Sequence, residues 1–170
     1  IPMENCIYNK SGHPFEDSFR FVLPGYCVRP LEMSGAIGSV QLSKMDTMIK
    51  QRRDNAYAFK RAFGPLMDRV LTQREVGSSS WFGFSLVLQG SLEGRRKEVI
   101  SALTAAGVET RPIVAGNFTK NPVIARIDHS ISGKLDAAEY IDANGFFIGN
   151  DSRDLSKEIQ MVADIIGGMQ

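Results

Sequence analysis

The stretch Phe19-Arg20-Phe21-Val22-Leu23-Pro24-Gly25-Tyr26-Cys27-Val28-Arg29-Pro30-Leu31-Glu32-Met33-Ser34-Gly35-Ala36-Ile37-Gly38 decides how the chain is read, because an apolar segment ends there in a turn and a helix opens behind it. Pro24-Gly25 is turn chemistry, a fixed φ followed by a residue free to take φ > 0. Pro30 suits the first helical position, where its missing N–H is no loss. From Pro30 to Phe63 the apolar residues Met33, Ile37, Val40, Met45, Met48, Ile49, Ala56, Phe59 and Phe63 recur near the helical period, which predicts one long helix, bent near its glycines. Gly35 and Gly38 each cost a helix about 1 kcal/mol relative to Ala. They have two readings: another backbone approaches that face, or the helix start is loosely built.

Outward from that helix the pattern alternates. Gly64-Pro65 should stop the helix, with Gly at C′. Arg69–Gln73 and Trp81–Leu88 read as strands, the second with Phe82, Phe84, Leu86 and Leu88 on one apolar face. Gly94–Ala106 reads as a helix closed by Gly107, and Val108–Ile113 as extended, with Arg111 held out of the helical region by Pro112. A helical turn near Asn121–Ile127, a short helix over Lys134–Ala143 and a strand over Phe146–Gly149 follow. The last helix carries the stripe Leu155, Ile159, Val162 and Ile166, with Asp151 or Ser152 as its cap. Ile1–Ser18 shows little periodicity and reads as irregular; opening on Ile-Pro, it resembles a continuation of something upstream, although a trimmed terminus would look the same. The fold expected is α+β: a small, mostly antiparallel sheet with helices packed on one face, led by the long helix.

Composition narrows the function classes. A chain of 170 residues with 43% hydrophobic and 23% charged residues can bury one ordinary core. A formal charge of +1 gives no electrostatic reason to expect nucleic acid or an acidic membrane as partner. No run approaches the ~18 apolar residues of a membrane span and no signal segment opens the chain, so a cytoplasmic setting is expected. Cys6 and Cys27 lack metal-ligand spacing and are expected reduced and unpaired. The methionines at 33, 45, 48 and 67 are expected as core filler.

No self-sufficient catalytic cluster is visible. The sequence has no phosphate-binding Gly loop, no His-Glu-x-x-His, no Gly-x-Ser-x-Gly and no Cys-x-x-Cys. His13 and His129 read as surface or hydrogen-bonded residues, and Trp81 as core. No catalytic or metal-ligating residue is assigned.

The block Gly25-Tyr26-Cys27-Val28-Arg29-Pro30-Leu31-Glu32-Met33-Ser34-Gly35-Ala36-Ile37-Gly38, continuing to Gln41-Leu42, resembles the DegT/DnrJ/EryC1/StrS family of pyridoxal-phosphate (PLP) nucleotide-sugar enzymes. Three later blocks resemble its branch of 3-dehydratases acting on GDP-4-keto-6-deoxymannose: Ser79-Ser80-Trp81-Phe82-Gly83-Phe84, Arg111-Pro112-Ile113-Val114-Ala115-Gly116-Asn117-Phe118, and Ala138-Glu139-Tyr140-Ile141-Asp142 with Asn144-Gly145. Their order is the family's, and together they span nearly the whole chain.

The resemblance implies a C-terminal piece of a longer enzyme: residues 1–29 an irregular lead-in from an N-terminal PLP-binding domain, and 30–170 the small C-terminal domain of fold-type-I PLP enzymes. It implies a 3-dehydratase or aminotransferase of deoxysugar and aminosugar biosynthesis, a nucleotide-sugar substrate with glutamate as amino donor, and a homodimer. The cofactor's Lys, or the His that replaces it in the dehydratases, would lie upstream; no lysine here sits in that motif, so this chain alone is not expected to hold PLP. In the family's Gly-Tyr-Asn-x-Arg motif the Asn reaches the cofactor phosphate. Cys27 stands in its place, a weaker donor than an amide. Arg29 has two readings, a contact between subunits near the cofactor or a pairing with Glu32. Arg111 either meets a substrate carboxylate or phosphate at the site's mouth or is a surface arginine on an edge strand. Asn117 is either a substrate contact or a turn Asn. The rival class is a non-catalytic fragment that self-associates, or complements a separate N-terminal domain, through the apolar face near Gly35 and Gly38.

Overall fold

The computed structural model describes residues 12–17, 19–22, 24–25 and 31–169. Among them are six α-helices, α1 (Pro14–Asp17), α2 (Glu32–Leu42), α3 (Met45–Phe63), α4 (Arg96–Ala105), α5 (Asp136–Asn144) and α6 (Ser156–Gly167). The strands are β1 (Val70–Thr72), β2 (Gly83–Leu88), β3 (Thr110–Arg111) and β4 (Gly145–Gly149), and short 3-10 turns fill Gly64–Leu66, Phe118–Lys120 and Pro122–Arg126.

The strands form one antiparallel sheet in the order β1-β2-β4-β3. Its register sets Leu86 opposite Phe146 and Val70 opposite Leu88. Side chains alternate along a strand, so Phe84, Leu86, Leu88, Phe146 and Ile148 line one face and are buried there. Against that face pack Ala56, Phe59 and Phe63 of α3, Val99 and Leu103 of α4, and Ile159, Val162, Ala163 and Ile166 of α6. The Phe59 and Phe84 rings stack at 4.4 Å, joining the long helix to the central strand. This is the α+β architecture expected, with helices against one sheet face and α3 leading them.

Several expectations change in detail. The single helix over 30–63 is two, divided at Ser43 and Lys44 rather than bent at the glycines. The Ser43 hydroxyl donates to the Val40 carbonyl (2.8 Å) and the Lys44 N–H to the Gln41 carbonyl (3.0 Å), which tightens the last turn of α2 and ends its ladder. α2 contributes no buried residue. Leu31, Met33, Ile37, Val40 and Leu42 are all exposed, and no atom of the described chain lies near where Cβ atoms of Gly35 and Gly38 would stand. The period was that of a helix, but only Ala56, Phe59 and Phe63 of the apolar set reach the core.

The methionines are not core filler as a set, since Met33, Met45 and Met67 are exposed. Gly64 keeps helical φ (−50°), so the stop comes from the 3-10 turn through Pro65 and not from a left-handed C′ residue. The N-cap of α6 is Leu155, with no side-chain cap bond, because the helix starts later than Asp151 and Ser152 anticipated; the Asp154 carboxylate just before it accepts from the Ser156 N–H (3.0 Å) and hydroxyl (2.6 Å). Phe82 lies outside β2 and is 76% exposed, not part of its apolar face. A four-residue helix, α1, occupies part of the segment expected to be irregular. Gly107 ends α4 as expected: at φ +80° it lets the Val108 N–H reach the Leu103 carbonyl (2.9 Å) and its own N–H reach that of Thr104 (3.0 Å).

Candidate functional site

Two concavities share a wall made by the Arg111–Asn117 segment. One, of about 230 Å³, lies between α1, that segment and the end of α5, lined by Glu16, Arg96, Gly116, Asn117, Lys120 and Asp142 among others. The second, of about 440 Å³, is lined by Arg52, Phe82, Glu109, Arg111, Phe147 and Asn150 among others. Val114 lines both.

The shared wall is held at its ends. Pro112 is buried on one side. On the other, the Asp142 carboxylate accepts from the Asn117 N–H (3.1 Å) with one oxygen and from Lys120 Nζ (2.9 Å) with the other. Gly116 sits between at φ +57°, where a Cβ would stand 2.0 Å from Asp142 Oδ1, so only glycine fits. The Gly116 N–H donates to the Ile113 carbonyl (2.9 Å), closing a four-residue turn whose first inner residue is Val114 at φ +45°. A β-branched residue in the left-handed region costs about 1–3 kcal/mol. Val114 nevertheless stands 61% exposed, so burial within the described chain does little to offset that cost.

The second concavity is built from four elements. Arg52 of α3 donates through Nη2 to the Asn150 carbonyl (2.9 Å), which fixes it beside the end of β4. Phe82 precedes β2 and Phe147 belongs to β4, their rings 6.2 Å apart. Arg111 lies on β3, an edge strand, exposed, with Nε (3.1 Å) and Nη2 (2.7 Å) both on Glu109 Oε1.

Behind it lies a buried polar joint. Asn55 Nδ2 donates to Asn150 Oδ1 (3.0 Å) and to the carbonyls of Asp151 (3.3 Å) and Arg153 (2.8 Å), while Oδ1 accepts from the Leu155 N–H (3.1 Å). Asn150 Nδ2 in turn donates to the carbonyls of Arg52 (3.1 Å) and Trp81 (2.9 Å). That second bond helps hold Trp81 at φ +52°. The Trp81 indole, 2% exposed, donates to Glu75 (3.2 Å), and Lys60 lies 4.9 Å above the ring. Glu75 collects Lys60, the Ser79 N–H and the Trp81 N–H, and its carboxyl falls to about 2, chiefly through the Lys60 hydrogen bond. Trp81 is thus a core residue, as expected.

Of the residues singled out in the sequence, Cys27 and Arg29 lie outside the described residues. Arg111 and Asn117 stand at opposite ends of one segment and line different concavities. Asn117 is buried, and its Oδ1 accepts from the Thr119 N–H (3.2 Å) and hydroxyl (2.7 Å), the geometry of a turn-capping Asn. His129 is exposed, with Nδ1 2.8 Å from the Ile127 carbonyl. Burial, and then the nearby Glu93 carboxylate, pushes the Tyr140 phenol above its ordinary value.

Sequence reasoning passed over Arg52, Val114 and Asp142 as site residues. Arg52 was counted into a helix and Val114 and Asp142 stood inside quoted blocks, but nothing in residue type announces a strained valine or a carboxylate that clamps a distant loop.

The description DegT/DnrJ/EryC1/StrS aminotransferase family matches residues 5–166. The chain belongs to that family. It is 51% identical over 160 residues to the GDP-4-keto-6-deoxy-D-mannose 3-dehydratase of Yersinia pseudotuberculosis, covering 92% of this chain and 40% of that protein. Two solved structures share its fold at a TM-score of 0.76 and 46% identity: Escherichia coli GDP-4-keto-6-deoxy-D-mannose-3-dehydratase with bound hydrated PLP, and GDP-4-keto-6-deoxymannose-3-dehydratase with a trapped PLP-glutamate geminal diamine. The matches cover 92% of this chain and 40% and 41% of those chains. This family member therefore spans about two fifths of the length of these relatives.

PLP asks for an amine at its aldehyde carbon or an imidazole acid/base beside it, an acid at its ring nitrogen and a set of donors at its phosphate. Around the two concavities, Arg96, Lys120 and Arg111 already face anions or carbonyls. Arg96 bonds Glu16 (2.6 Å) and the carbonyls of Asp142 and Gly145, Lys120 bonds Asp142 (2.9 Å), and Arg111 bonds Glu109 (2.7 Å). These residues form a wall, not a cofactor cradle. Among the described residues no three His, Cys, Asp or Glu are grouped to hold a metal ion, and no helix is long and apolar enough to cross a membrane.

Proposed function

We propose that this chain is the C-terminal region of a PLP-dependent 3-dehydratase acting on a GDP-linked 4-keto-6-deoxyhexose in deoxysugar biosynthesis. The observation that carries the reading is 51% identity to such a dehydratase across nearly the whole chain. PLP, held mainly by residues outside the chain, supplies an electron sink. The chain's own part is to wall the substrate cleft: Arg52 and Arg111 offer guanidinium N–H groups to anionic oxygens, and the exposed Phe82 and Phe147 rings exclude water beside them. Residues 1–29 are the lead-in from the cofactor-binding domain and 30–170 the small domain. Glutamate is the amino donor, a reading supported by the PLP-glutamate adduct trapped in a relative.

The exposed apolar side of α2 is met by residues outside this chain, in a homodimer, and the setting is cytoplasmic. Cys27 and Arg29 belong near the cofactor in this reading, and Arg111 and Asn117 near the substrate.

The test uses the full-length protein with PLP, glutamate and GDP-4-keto-6-deoxymannose. The expected result is release of 2-oxoglutarate together with a sugar product that has lost its C3 hydroxyl, read by NMR. A product carrying nitrogen at C4 instead would establish the aminotransferase and refute the dehydratase. Absence of any turnover, with the protein folded and PLP present, would refute both.

A further inference from the structure

We propose that Asn150 is a positioning residue for the substrate cleft, one side chain that sets both the Arg52 guanidinium and the Phe82 ring on the wall of the second concavity, an assignment that rests on the cleft reading above. Asn150 follows β4, is 6% exposed and lines that concavity. Its Nδ2 donates to two main-chain carbonyls, of Arg52 (3.1 Å) and of Trp81 (2.9 Å), 98 and 69 residues away in the chain. Its own carbonyl accepts from Arg52 Nη2 (2.9 Å). Arg52 is thus gripped at both ends by a single residue. A guanidinium so held keeps its remaining N–H groups aimed and loses less freedom when it meets an anion.

The bond to Trp81 acts on Phe82. Trp81 stands at φ +52°, which breaks the alternation that would send Phe82 inward with Phe84. The Trp81 carbonyl belongs to the planar peptide from which Phe82 departs, so fixing that carbonyl fixes the direction of a ring that is 76% exposed and 6.2 Å from Phe147. Asn55 shares the joint but spends its bonds elsewhere: besides Asn150 and Gln51 it meets the carbonyls of Asp151 and Arg153 and the Leu155 N–H, on the way to α6. Of the two buried asparagines, Asn150 is the one aimed at the wall. A buried amide that orients a cation and a ring from two distant elements is a supporting shell for a site.

Steady-state turnover of GDP-4-keto-6-deoxymannose by the full-length, PLP-loaded protein, with the melting temperature measured alongside, tests the assignment. Asn150→Ala should raise KM about tenfold and change kcat by less than about threefold, the pattern of lost binding and not of lost chemistry. Asn150→Asp keeps the volume and the acceptor for Asn55 but donates to neither carbonyl, so it should do the same. Val99→Ala, a change in the buried core on the side of the sheet away from Phe147, should lower the melting temperature and leave KM within about twofold. Arg52→Ala combined with Phe82→Ala should itself raise KM about tenfold or more, and adding Asn150→Ala should raise it by less than about twofold further, because the groups to be positioned are gone. The assignment falls, and the cleft reading stands, if KM keeps its wild-type value in the Asn150 variants, if Val99→Ala raises it as much, if Asn150→Ala multiplies it by the same factor with Arg52 and Phe82 removed, or if neither Asn150 variant folds. A wild-type KM in the Arg52→Ala, Phe82→Ala protein refutes the cleft reading of this concavity and the assignment with it, as does a wild-type protein that does not turn the substrate over.

Discussion

Replacing Asn55 by alanine should unfold the joint behind the second concavity. Asn55 is fully buried and spends both ends of its amide: Nδ2 donates to Asn150 Oδ1, the Asp151 carbonyl and the Arg153 carbonyl, and Oδ1 accepts from Gln51 Nε2 (3.2 Å) and the Leu155 N–H. A typical intramolecular hydrogen bond contributes a net ~1 kcal/mol, and a buried group left without a partner costs ~1–3 kcal/mol. The Gln51 side chain is partly exposed and can turn to water, which leaves three to four bonds that matter, centred on the buried Asn150 oxygen. The loss should therefore be about 3–5 kcal/mol, a large part of a domain's total stability. Urea unfolding of the chain, followed by Trp81 fluorescence, would measure it, and the melting temperature should fall by roughly 10–15 °C. Asn55→Leu fills the space but leaves the same groups unpaired, so it should recover little. If Asn55→Ala costs less than about 1 kcal/mol, or if Asn55→Leu restores most of the loss, packing and not hydrogen bonding holds this joint.

Other perturbations have equally direct outcomes. Glu75 has its carboxyl lowered from 4.5 to about 2 in the folded chain, so its contribution is complete above pH 4.5 and disappears as pH falls toward 2. Glu75→Gln should accordingly be less stable than wild type at pH 7, with the gap closing over that window in an acid melting series; a gap independent of pH would show that the carboxylate charge is irrelevant. Gly145→Ala would put a Cβ 2.5 Å from the Ile141 carbonyl and 2.7 Å from Ile113 Cδ1, and should destabilise by about 1–3 kcal/mol in the same urea assay. Arg96→Gln removes the ion pair to Glu16, the bonds to the Asp142 and Gly145 carbonyls and the guanidinium 5.3 Å from the Phe15 ring, so limited proteolysis should cut near Phe19 and Arg20 faster and the melting temperature should also fall. Unchanged cleavage would mean that α1 is held by other contacts.

Periodicity made α3, α4, α6 and the central strands legible, because each buries one face and its sequence shows it. For α2 it showed the helix but not the break after Leu42: Met33, Ile37 and Val40 form a proper helical stripe, and a stripe says only that a face is apolar, not which molecule covers it. Phe82 was assigned inward from alternation, but the left-handed Trp81 interrupts the strand before it. The site was harder still. Arg111 and Asn117 stood in a quoted block, whereas Asn55, Asn150 and Arg52 meet across nearly a hundred residues, with |i−j| of 95 and 98, and no local pattern announces such partners. Val114 was invisible on principle, since valine is among the last residues to expect at positive φ.

The tightened turn at Ser43 and Lys44 separates an arm that buries nothing from a helix on which the core depends. Errors introduced along 32–42 would thus escape any screen that scores melting of the isolated polypeptide. Heat reports on α3 and is silent about the arm.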